Sequence, residues 1–423
     1  MKHMTVISLA LRSLWARKVT ALLTVTSIAA AVLLFVAVEN LRQGARTSFE
    51  RTISDTDVIV GARSSPINLV LYSVFQLGNP TNNVTWATYE DIKARKDVAW
   101  VVPISLGDSH RGFRVVGTTP EYFEHYKYAD SAPLEFRDGS PFNDLFDVVL
   151  GAQVARELDY NLNAKITLAH GLGGTSFVNH DNLPFSVTGI LKPTGTPVDR
   201  SVFVSLSAVE AIHLGWQSGT PTPVSRLNTP EQLRQKTLNP ESITSMLIGA
   251  TSRVRSLGLQ RDLNSYKAEP LQAVIPGVAL SQLWNIVSVV ERALALVSSF
   301  VIAVGLIGIL TSILTSLNER RREMAILRAM GARGRHILGL LVSEAALLAF
   351  IGSALGLTVL YGLLWLFRPF LEVRFNISAL RLWPGQFDMG VVIFVTVIAA
   401  ILGLIPAFIA LKRSLSDGLT IRV

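Results

Sequence analysis

The chain has 423 residues, of which 49% are hydrophobic and only 17% charged, and its formal net charge is +8 at pH 7. This composition and a positive mean hydropathy favour a membrane protein. The chain has no cysteine, which excludes a disulfide framework, a thiolate metal site and a cysteine nucleophile.

Four apolar segments are long enough to cross a bilayer, which takes about 20 residues. Their apolar cores are residues 19–38, 293–317, 337–367 and 389–411, and Glu344 is the only charged side chain within them. The predicted organisation begins with a cytoplasmic amphipathic N-terminal helix at 1–18, a first transmembrane helix at 19–41 and an external domain with a stalk at 42–279. A stalk helix and second transmembrane helix follow at 280–317, and a cytoplasmic coupling loop at 318–336. The chain is then predicted to form a third transmembrane helix at 337–367, an external loop at 368–388, a fourth transmembrane helix at 389–411 and a cytoplasmic tail at 412–423.

The positive charge is concentrated beside the predicted spans. Residues 1–18 carry basic side chains and no acid, residues 318–336 carry six arginines against two glutamates, and residues 412–423 are also basic. Residues 39–292 are nearly neutral. The positive-inside rule therefore predicts both termini and the 318–336 loop in the cytoplasm, with the large segment outside. Because the basic excess lies next to the membrane, nucleic acid is not an expected partner.

The segments that flank the first two spans have helical patterns. Residues 4–18 combine apolar and basic side chains, which predicts a helix lying on the membrane surface, with a disordered basic leader as the alternative. Residues 39–53 are expected to continue the first spanning helix outward. Apolar residues from Leu280 to Val304 recur at spacings of three and four, which predicts one helix running from water into lipid. Together these two helices would form a stalk; the alternative is that both end at the membrane surface.

The external domain is predicted to be mixed α/β, so the expected fold class is an α-helical membrane protein with four transmembrane helices and a large external α/β (α+β) domain between the first two. Period-two apolar runs between turn-forming residues predict strands. One hairpin is expected to turn at Gly107-Asp108. The predicted strands are 57–61, 98–103, 112–117, 147–151, 166–169, 185–191, 201–206, 242–249 and 268–274, and the predicted helices are 154–158, 207–213 and 251–266.

The loop between the second and third spans contains a short amphipathic pattern that ends at a glycine, a frequent helix stop. This pattern predicts a helix at the cytoplasmic membrane surface with one face free to dock on a partner. A positively charged loop that only fixes the topology explains the pattern equally well. The candidate coupling residues are Glu319, Arg320, Glu323, Met324, Leu327, Arg328, Met330 and Gly331.

Two features of the third span concern packing and charge. Gly352 and Gly356 form a small-xxx-small pair, which predicts that another helix approaches closely at these positions. The alternative is that the two glycines have no packing role and simply face lipid. Glu344 is an ionisable residue inside a membrane span, which marks it as a functional candidate. A structural or coupling role is favoured over proton transport.

The sequence offers little catalytic chemistry. It contains neither a His-Glu-x-x-His nor a Gly-x-Ser-x-Gly motif. His170, His180 and Asp181 are the external group that suggests a metal, but their spacing matches no metal motif. They are expected to be surface loop residues, and no catalytic, cofactor-binding or metal-binding residue is predicted.

Several segments, taken in order, resemble permease subunits of the MacB/FtsX/LolC group of ABC transporters, also called type VII. The most specific is 319–331 followed by Glu344-Ala-Ala; the others are 9–18, 115–123, 147–155 and 406–419. In that family the segment corresponding to 319–331 contacts the ATPase in the cytoplasm. The resemblance therefore implies the same role here, in a bacterial inner-membrane protein with a periplasmic domain.

The resemblance also implies partners. Full MacB carries an ATPase domain, whereas this sequence has no Gly-Lys pair and hence no phosphate-binding loop of the Walker type. The expected arrangement is a permease homodimer with two separate cytoplasmic ATPase subunits that bind ATP and Mg²⁺. A periplasmic adaptor or substrate-delivery protein is a further candidate partner. This chain itself is expected to bind no cofactor.

Three functions remain open at this point. The first is mechanotransmission, in which ATP hydrolysis by a partner changes the shape of the external domain for export or extraction of a substrate. The second is FtsX-like signalling, in which an external partner is activated and no cargo moves. The third is a membrane receptor that uses no ATPase. The sequence leaves the cargo unidentified, with lipoprotein, peptide, siderophore, drug and metal-related cargo all possible.

Overall fold

The computed structural model describes residues 15, 17–171, 178–179, 182–217, 220–221, 229–319, 326, 328–329, 331–375 and 381–416. The chain divides into two compact units. The helical unit contains the chain up to Ala45, Ser288–Phe370 and the chain from Ala379 onward. The α/β unit contains Arg46–Val287 and Leu371–Ser378.

The helices are, in chain order, α1 (Lys18–Glu50), α2 (Pro66–Ser73), α3 (Trp86–Lys93), α4 (Glu121–His125), α5 (Ala152–Glu157), α6 (Leu206–His213), α7 (Pro230–Arg234), α8 (Arg253–Asn264), α9 (Pro276–Glu319), α10 (Gly334–Phe375) and α11 (Gln386–Ser416), with a 3₁₀ helix at Pro197–Arg200. The strands are β1 (Val58–Ala62), β2 (Val84–Thr85), β3 (Val98–His110), β4 (Phe113–Thr118), β5 (Lys127–Tyr128), β6 (Ala132–Pro133), β7 (Phe136–Gly139), β8 (Asp147–Leu150), β9 (Lys165–Ile166), β10 (Ala169–His170), β11 (Val178–Asn179), β12 (Phe185–Leu191), β13 (Ser201–Ser205), β14 (Trp216–Gln217), β15 (Thr220–Pro221), β16 (Ser242–Ile243), β17 (Ser245–Ala250) and β18 (Leu271–Val274).

Four helices of the described chain, α1, α9, α10 and α11, are long and apolar enough to cross a membrane. Their inward faces form one apolar core that includes Val32 of α1, Ile309 of α9, Ala345 of α10 and Val395 of α11, all nearly inaccessible. The prediction of four long apolar helices is confirmed. Two of them extend further than predicted at the 318–336 loop, because α9 continues to Glu319 and α10 already begins at Gly334.

The α/β unit is built on a mixed sheet with the strand order β18-β1-β17-β3-β4-β13-β8-β12-β7. Most neighbours are antiparallel, but β13 pairs in parallel with β4, and β12 pairs in parallel with β8. Successive side chains of β1 enter different apolar clusters, since Ile59 packs in one cluster while Val58 and Val60 pack in another. Both faces of β1 are therefore buried, as expected where helices cover a sheet on both sides. The predicted α/β domain between the first two long helices is confirmed.

The predicted turn at Gly107-Asp108 is wrong. β3 is one strand from Val98 to His110, and the chain reverses at Arg111 and Gly112, which have φ values of 48° and 88°. The register between β3 and β4 shifts between Leu106 and Ser109, so Gly107 and Asp108 occupy a β-bulge. A glycine inside a strand pattern indicates a bulge as readily as a turn, and the apolar pattern alone does not distinguish the two.

The last turns of α1 and the first turns of α9 belong to the core of the α/β unit. Phe49 of α1 stacks on Phe75 with ring centroids 4.6 Å apart, and it meets Trp284 of α9 edge-on at 5.7 Å. Ala279 and Leu280 of α9 are buried in the same apolar cluster. The C-terminal end of α1 and the N-terminal end of α9 thus both pack among aromatic and aliphatic side chains of this unit.

Candidate functional site

The predicted coupling segment is only partly described. Arg320, Glu323, Met324, Leu327 and Met330 lie outside the described residues, and Glu319 is the last residue of α9. Ile326, Arg328 and Ala329 are helical and exposed.

Gly331 follows with φ of 92°, and its N–H donates to the carbonyl of Arg328 at 2.9 Å. This left-handed glycine is typical of a helix C-terminus, where a side chain would be strained. The structure thus agrees with a helix that ends at Gly331. The docking role of the segment stays a prediction.

Glu344 lies on α10 and is buried, with 5% of its surface exposed. Other polar side chains buried within the helical unit include Ser298 and Ser353. An acidic group in this position needs stabilising surroundings, because transfer of a bare carboxylate into an apolar medium is costly. The structural or coupling role of Glu344 stays a prediction.

The two glycines singled out on the third span both permit close helix packing. A Cβ on Gly356 would lie 2.5 Å from the carbonyl oxygen of Ala29, and one on Gly352 would lie 2.8 Å from Cβ of Ile28. Both neighbours belong to α1. The prediction of close approach through a small-xxx-small pair is therefore confirmed, and the partner helix is α1.

Polar contacts also join the long helices. The side-chain amide of Asn40 donates to the carbonyl of Arg381 at 3.1 Å and accepts its N–H at 3.3 Å. Arg42 forms an ion pair with Glu291 of α9 at 3.3 Å and a closer one with Glu39 at 2.6 Å. These contacts fix α1 against α9 and against the segment that precedes α11.

A cavity of about 330 Å³ lies in the α/β unit, lined by aromatic residues that include Phe49, Phe75 and Phe113. Arg114 also lines it and is 8% exposed; its Nη2 donates to the carbonyl of Gly78 at 2.8 Å. Its Nη1 has no hydrogen-bond partner among the described residues, and burial lowers the pKa of this guanidinium. The cavity is therefore mainly apolar with cationic character on one wall.

The structure brings together Asp108, His170 and His213, whose potential ligand atoms all lie within 4.8 Å of one another. Sequence reasoning singled out His170 but missed the other two, because His170 is 62 positions from Asp108 and 43 from His213. Burial acts to lower the pKa of His213, but hydrogen bonding to Asp108 and its charge outweigh burial and raise the pKa. His180 and Asp181, named with His170 in the sequence, lie outside the described residues.

Four helices of spanning length, with an α/β unit inserted between the first and second, define a multi-pass membrane protein with one large extramembrane domain. Two family models match in the same order: a MacB-like periplasmic core domain over residues 19–248 and an FtsX-like permease C-terminal region over residues 295–417. The chain therefore belongs to the FtsX-like permeases with a MacB-like periplasmic core domain, and its α/β unit is the extracytoplasmic domain. The resemblance stated from the sequence is confirmed.

Curated relatives include the macrolide export ATP-binding/permease protein MacB of Salmonella typhi, 26% identical over 321 residues, which are 69% of this chain and 44% of that protein. The protein of the same description from Chromobacterium violaceum is 30% identical over 188 residues, 44% of this chain and 27% of that protein. This chain spans less than half of the length of either relative.

Two solved structures are similar to part of this chain. The periplasmic region of MacB from Actinobacillus actinomycetemcomitans matches with 11% identity and a TM-score of 0.34, covering 55% of this chain and 95% of that one. The extracellular domain of the noncanonic ABC-type transporter YknZ from Gram-positive bacteria matches with 14% identity and a TM-score of 0.29, covering 52% and 99%.

Proposed function

We propose that this chain is the permease subunit of an ABC transporter, and that it converts ATP hydrolysis by a separate ATPase into a change of shape of the α/β unit. The observation that carries the proposal is the continuity of α1 and α9. Each is a single helix that contains a membrane-spanning stretch and also residues, Phe49 and Leu280, that pack in the core of the α/β unit. A displacement of either helix at the membrane would therefore act directly on that core.

The ATPase would dock on the segment 319–331. The segment begins at the last residue of α9, so a displacement of the segment by the ATPase would act directly on this spanning helix. The described residues beside Leu327, which are Ile326, Arg328 and Ala329, are exposed, so this part of the segment is accessible to a partner. The basic charge around it supports a cytoplasmic position, with both termini on the same side of a bacterial inner membrane.

The assembly would be a permease homodimer with an ATPase dimer. In support, α9 exposes Val290, Leu294, Val297 and Val304, at spacings of four, three and seven residues along one stripe. A regular stripe of this spacing is typical of helix–helix contacts. Exposed apolar residues also suit lipid, so cross-linking between protomers is needed to distinguish a dimer contact from a lipid-facing surface.

The transport activity would be export of a substrate, or its extraction from the periplasm or from the outer leaflet of the inner membrane. The curated relatives are described as macrolide export proteins, which supports the direction of transport without defining the cargo. The apolar cavity beside Arg114 offers a site of drug-like size in the α/β unit. FtsX-like signalling to an external partner is the second candidate, favoured by the match to the FtsX-like permease C-terminal region.

The experiment is to purify the chain with any nucleotide-hydrolysing subunit that accompanies it and to measure ATPase activity in proteoliposomes. Leu327→Asp places a charge on the proposed docking face, and Ala329→Asp places the same charge about 200° away on the helix at 100° per residue. Loss of a central docking residue typically costs about 2 kcal/mol or more, so docking should weaken roughly 30-fold in L327D alone.

Two results would overturn the proposal. One is the absence of any associated nucleotide-hydrolysing subunit, and the other is an L327D variant whose coupled ATPase activity matches that of A329D. Stimulation of the ATPase by candidate cargo would support transport. Stimulation by an external protein partner without cargo would support the signalling function instead.

A further inference from the structure

Three side chains of the α/β unit converge on one point, and we call them the Asp108 cluster: Asp108, His170 and His213. Nδ1 of His170 lies 3.2 Å from Oδ1 of Asp108 and 3.0 Å from Nε2 of His213. Nε2 of His213 lies 3.4 Å from the same Oδ1. The three atoms thus form a nearly equilateral triangle.

The dimensions of this triangle suit a metal ion. In a tetrahedral zinc site with metal–ligand distances of about 2.0–2.1 Å, neighbouring ligand atoms are about 3.3–3.4 Å apart. The observed edges of 3.0, 3.2 and 3.4 Å agree with that spacing to within a few tenths of an ångström. An ion above the triangle would reach all three atoms with little movement of the side chains.

His213 is held in the tautomer that a metal ligand needs. Its Nδ1 lies 2.8 Å from the carbonyl oxygen of Val209, an acceptor only, so this nitrogen carries the proton and donates. Nε2 of the neutral ring is then left with its lone pair directed at the cluster. A backbone carbonyl that orients the second nitrogen of an imidazole is the usual support of a histidine ligand.

The fold brings the three residues together from three different elements. Asp108 sits in the β-bulge of β3, and bulges commonly redirect a side chain toward a functional site. β10 pairs with this part of β3 so that His170 lies directly opposite Asp108. The hydroxyl of Ser109 donates to the carbonyl of Gly171 at 2.6 Å and holds the two segments together.

The third side chain of the cluster, His213, belongs to α6, a helix that packs close to the sheet. A Cβ on Gly117 of β4 would lie 2.5 Å from Cγ2 of Val209 in α6, so the glycine permits this approach. His213 is the last residue of the same helix. Its position is therefore set by the packing of α6 on the sheet, in addition to its bond to Val209.

We propose that the Asp108 cluster is a binding site for a divalent transition metal of the Zn²⁺ class, with these three side chains as protein ligands. Two imidazoles with one carboxylate suit zinc and its neighbours, whereas calcium and magnesium prefer oxygen ligands alone. Asp108 is 2% exposed, while the side chains of His170 and His213 are 39% and 26% exposed, so an ion can enter from solvent. The site is exchangeable and works independently of the proposed ATPase coupling.

The test uses the full chain, purified in detergent through an affinity tag without histidines and treated with a chelator that is then removed. Zn²⁺ is titrated against a chromophoric competitor, and Co²⁺ is titrated while its visible absorption is recorded. The wild type should bind one ion per chain and give the intense absorption of tetrahedral Co²⁺. His170→Gln and His213→Gln should each lower the affinity at least 10-fold, and the double variant should abolish the site.

His125→Gln is the matched control, because His125 is also in the α/β unit but stacks on Trp100, away from the cluster. It should bind Zn²⁺ like the wild type. Thermal unfolding shows whether each variant is folded, and added Zn²⁺ should raise the melting temperature of wild type and H125Q but not of the double variant. The proposal is overturned if the wild type has no saturable site, which would make the cluster a hydrogen-bonded trio, or if the double variant still binds one ion.

Discussion

At the scale of single residues, Asp199 is a buried carboxylate whose surroundings shift its pKa in opposite directions. It is 5% exposed, and it accepts the N–H groups of Thr194 and Gly195 and the hydroxyl of Thr194. Burial raises the pKa of Asp199, while these hydrogen bonds and the charge of Arg156 act in the lowering direction without cancelling the effect of burial. The folded protein therefore retains this proton at pH values where the unfolded chain has already lost it.

The sign of the pH dependence follows from that shift. Because the pKa of Asp199 is higher in the folded state, its contribution to stability falls as the pH rises from the ordinary aspartate value through the raised value, and it is level above that. Asp199→Asn removes this titration. The melting temperature of the full chain in detergent, measured from pH 4 to 7, should therefore decline with pH by a component that D199N lacks. Parallel profiles for the two proteins would contradict this account.

At the scale of elements, the packing of α10 on α1 depends on glycine. Gly356→Ala would place a methyl group 2.5 Å from the carbonyl oxygen of Ala29, whereas a Cβ on Gly362 of the same helix would meet nothing within 4 Å. Overpacking of this kind costs about 1–3 kcal/mol. Thermal unfolding should therefore show a lower melting temperature for G356A and little change for G362A. Equal melting temperatures would mean that the helices separate without cost.

The exposed stripe of α9 gives a second prediction at this scale. The chain has no cysteine, so a single introduced cysteine can be cross-linked without background. Leu294→Cys on the stripe should form a disulfide-linked dimer under mild oxidation in membranes. Val397→Cys is the control, because Val397 is similarly exposed but lies on α11. Equal cross-linking at the two positions, or none at Leu294, would exclude the stripe as the dimer contact.

The elements also show what the sequence can predict. Long apolar runs identify the four long helices, because no soluble alternative explains 20 consecutive apolar residues. Period-two patterns locate β12 at its observed bounds and β8 to within one residue. Prediction of short helices is uneven because about two turns give little periodicity: the sequence predicts α6 but not α2 and α3, which have the same length. The bulge at Gly107-Asp108 could not be predicted, because the pairing between strands, and not the local sequence, determines whether these two residues form a turn or a bulge.

The candidate sites differ in the same way. The coupling segment is readable from the sequence because its residues are contiguous, although its docking role remains a prediction. The Asp108 cluster is not readable, because its members come from a bulge, a two-residue strand and a helix end that only the fold assembles. Local patterns report contiguous surfaces, while sites assembled from distant segments require the tertiary structure.

At the scale of the whole molecule, the central claim is that ATP used on one side of the membrane changes the α/β unit on the other. The claim depends on α1 and α9, which both span the membrane and pack within the core of that unit. It requires no path for cargo between the helices. It does require that the α/β unit respond to nucleotide whenever the ATPase is docked.

The most direct measurement is the distance between spin labels on the α/β units of two protomers in a reconstituted complex. A label at Thr251→Cys is suitable, because the native chain has no cysteine and Thr251 is exposed. The distance distribution by pulsed electron resonance is recorded without nucleotide, with ATP trapped, and with the docking variant L327D. The account predicts a shift on ATP trapping that L327D abolishes and A329D preserves. An unchanged distribution in a complex that hydrolyses ATP would contradict it.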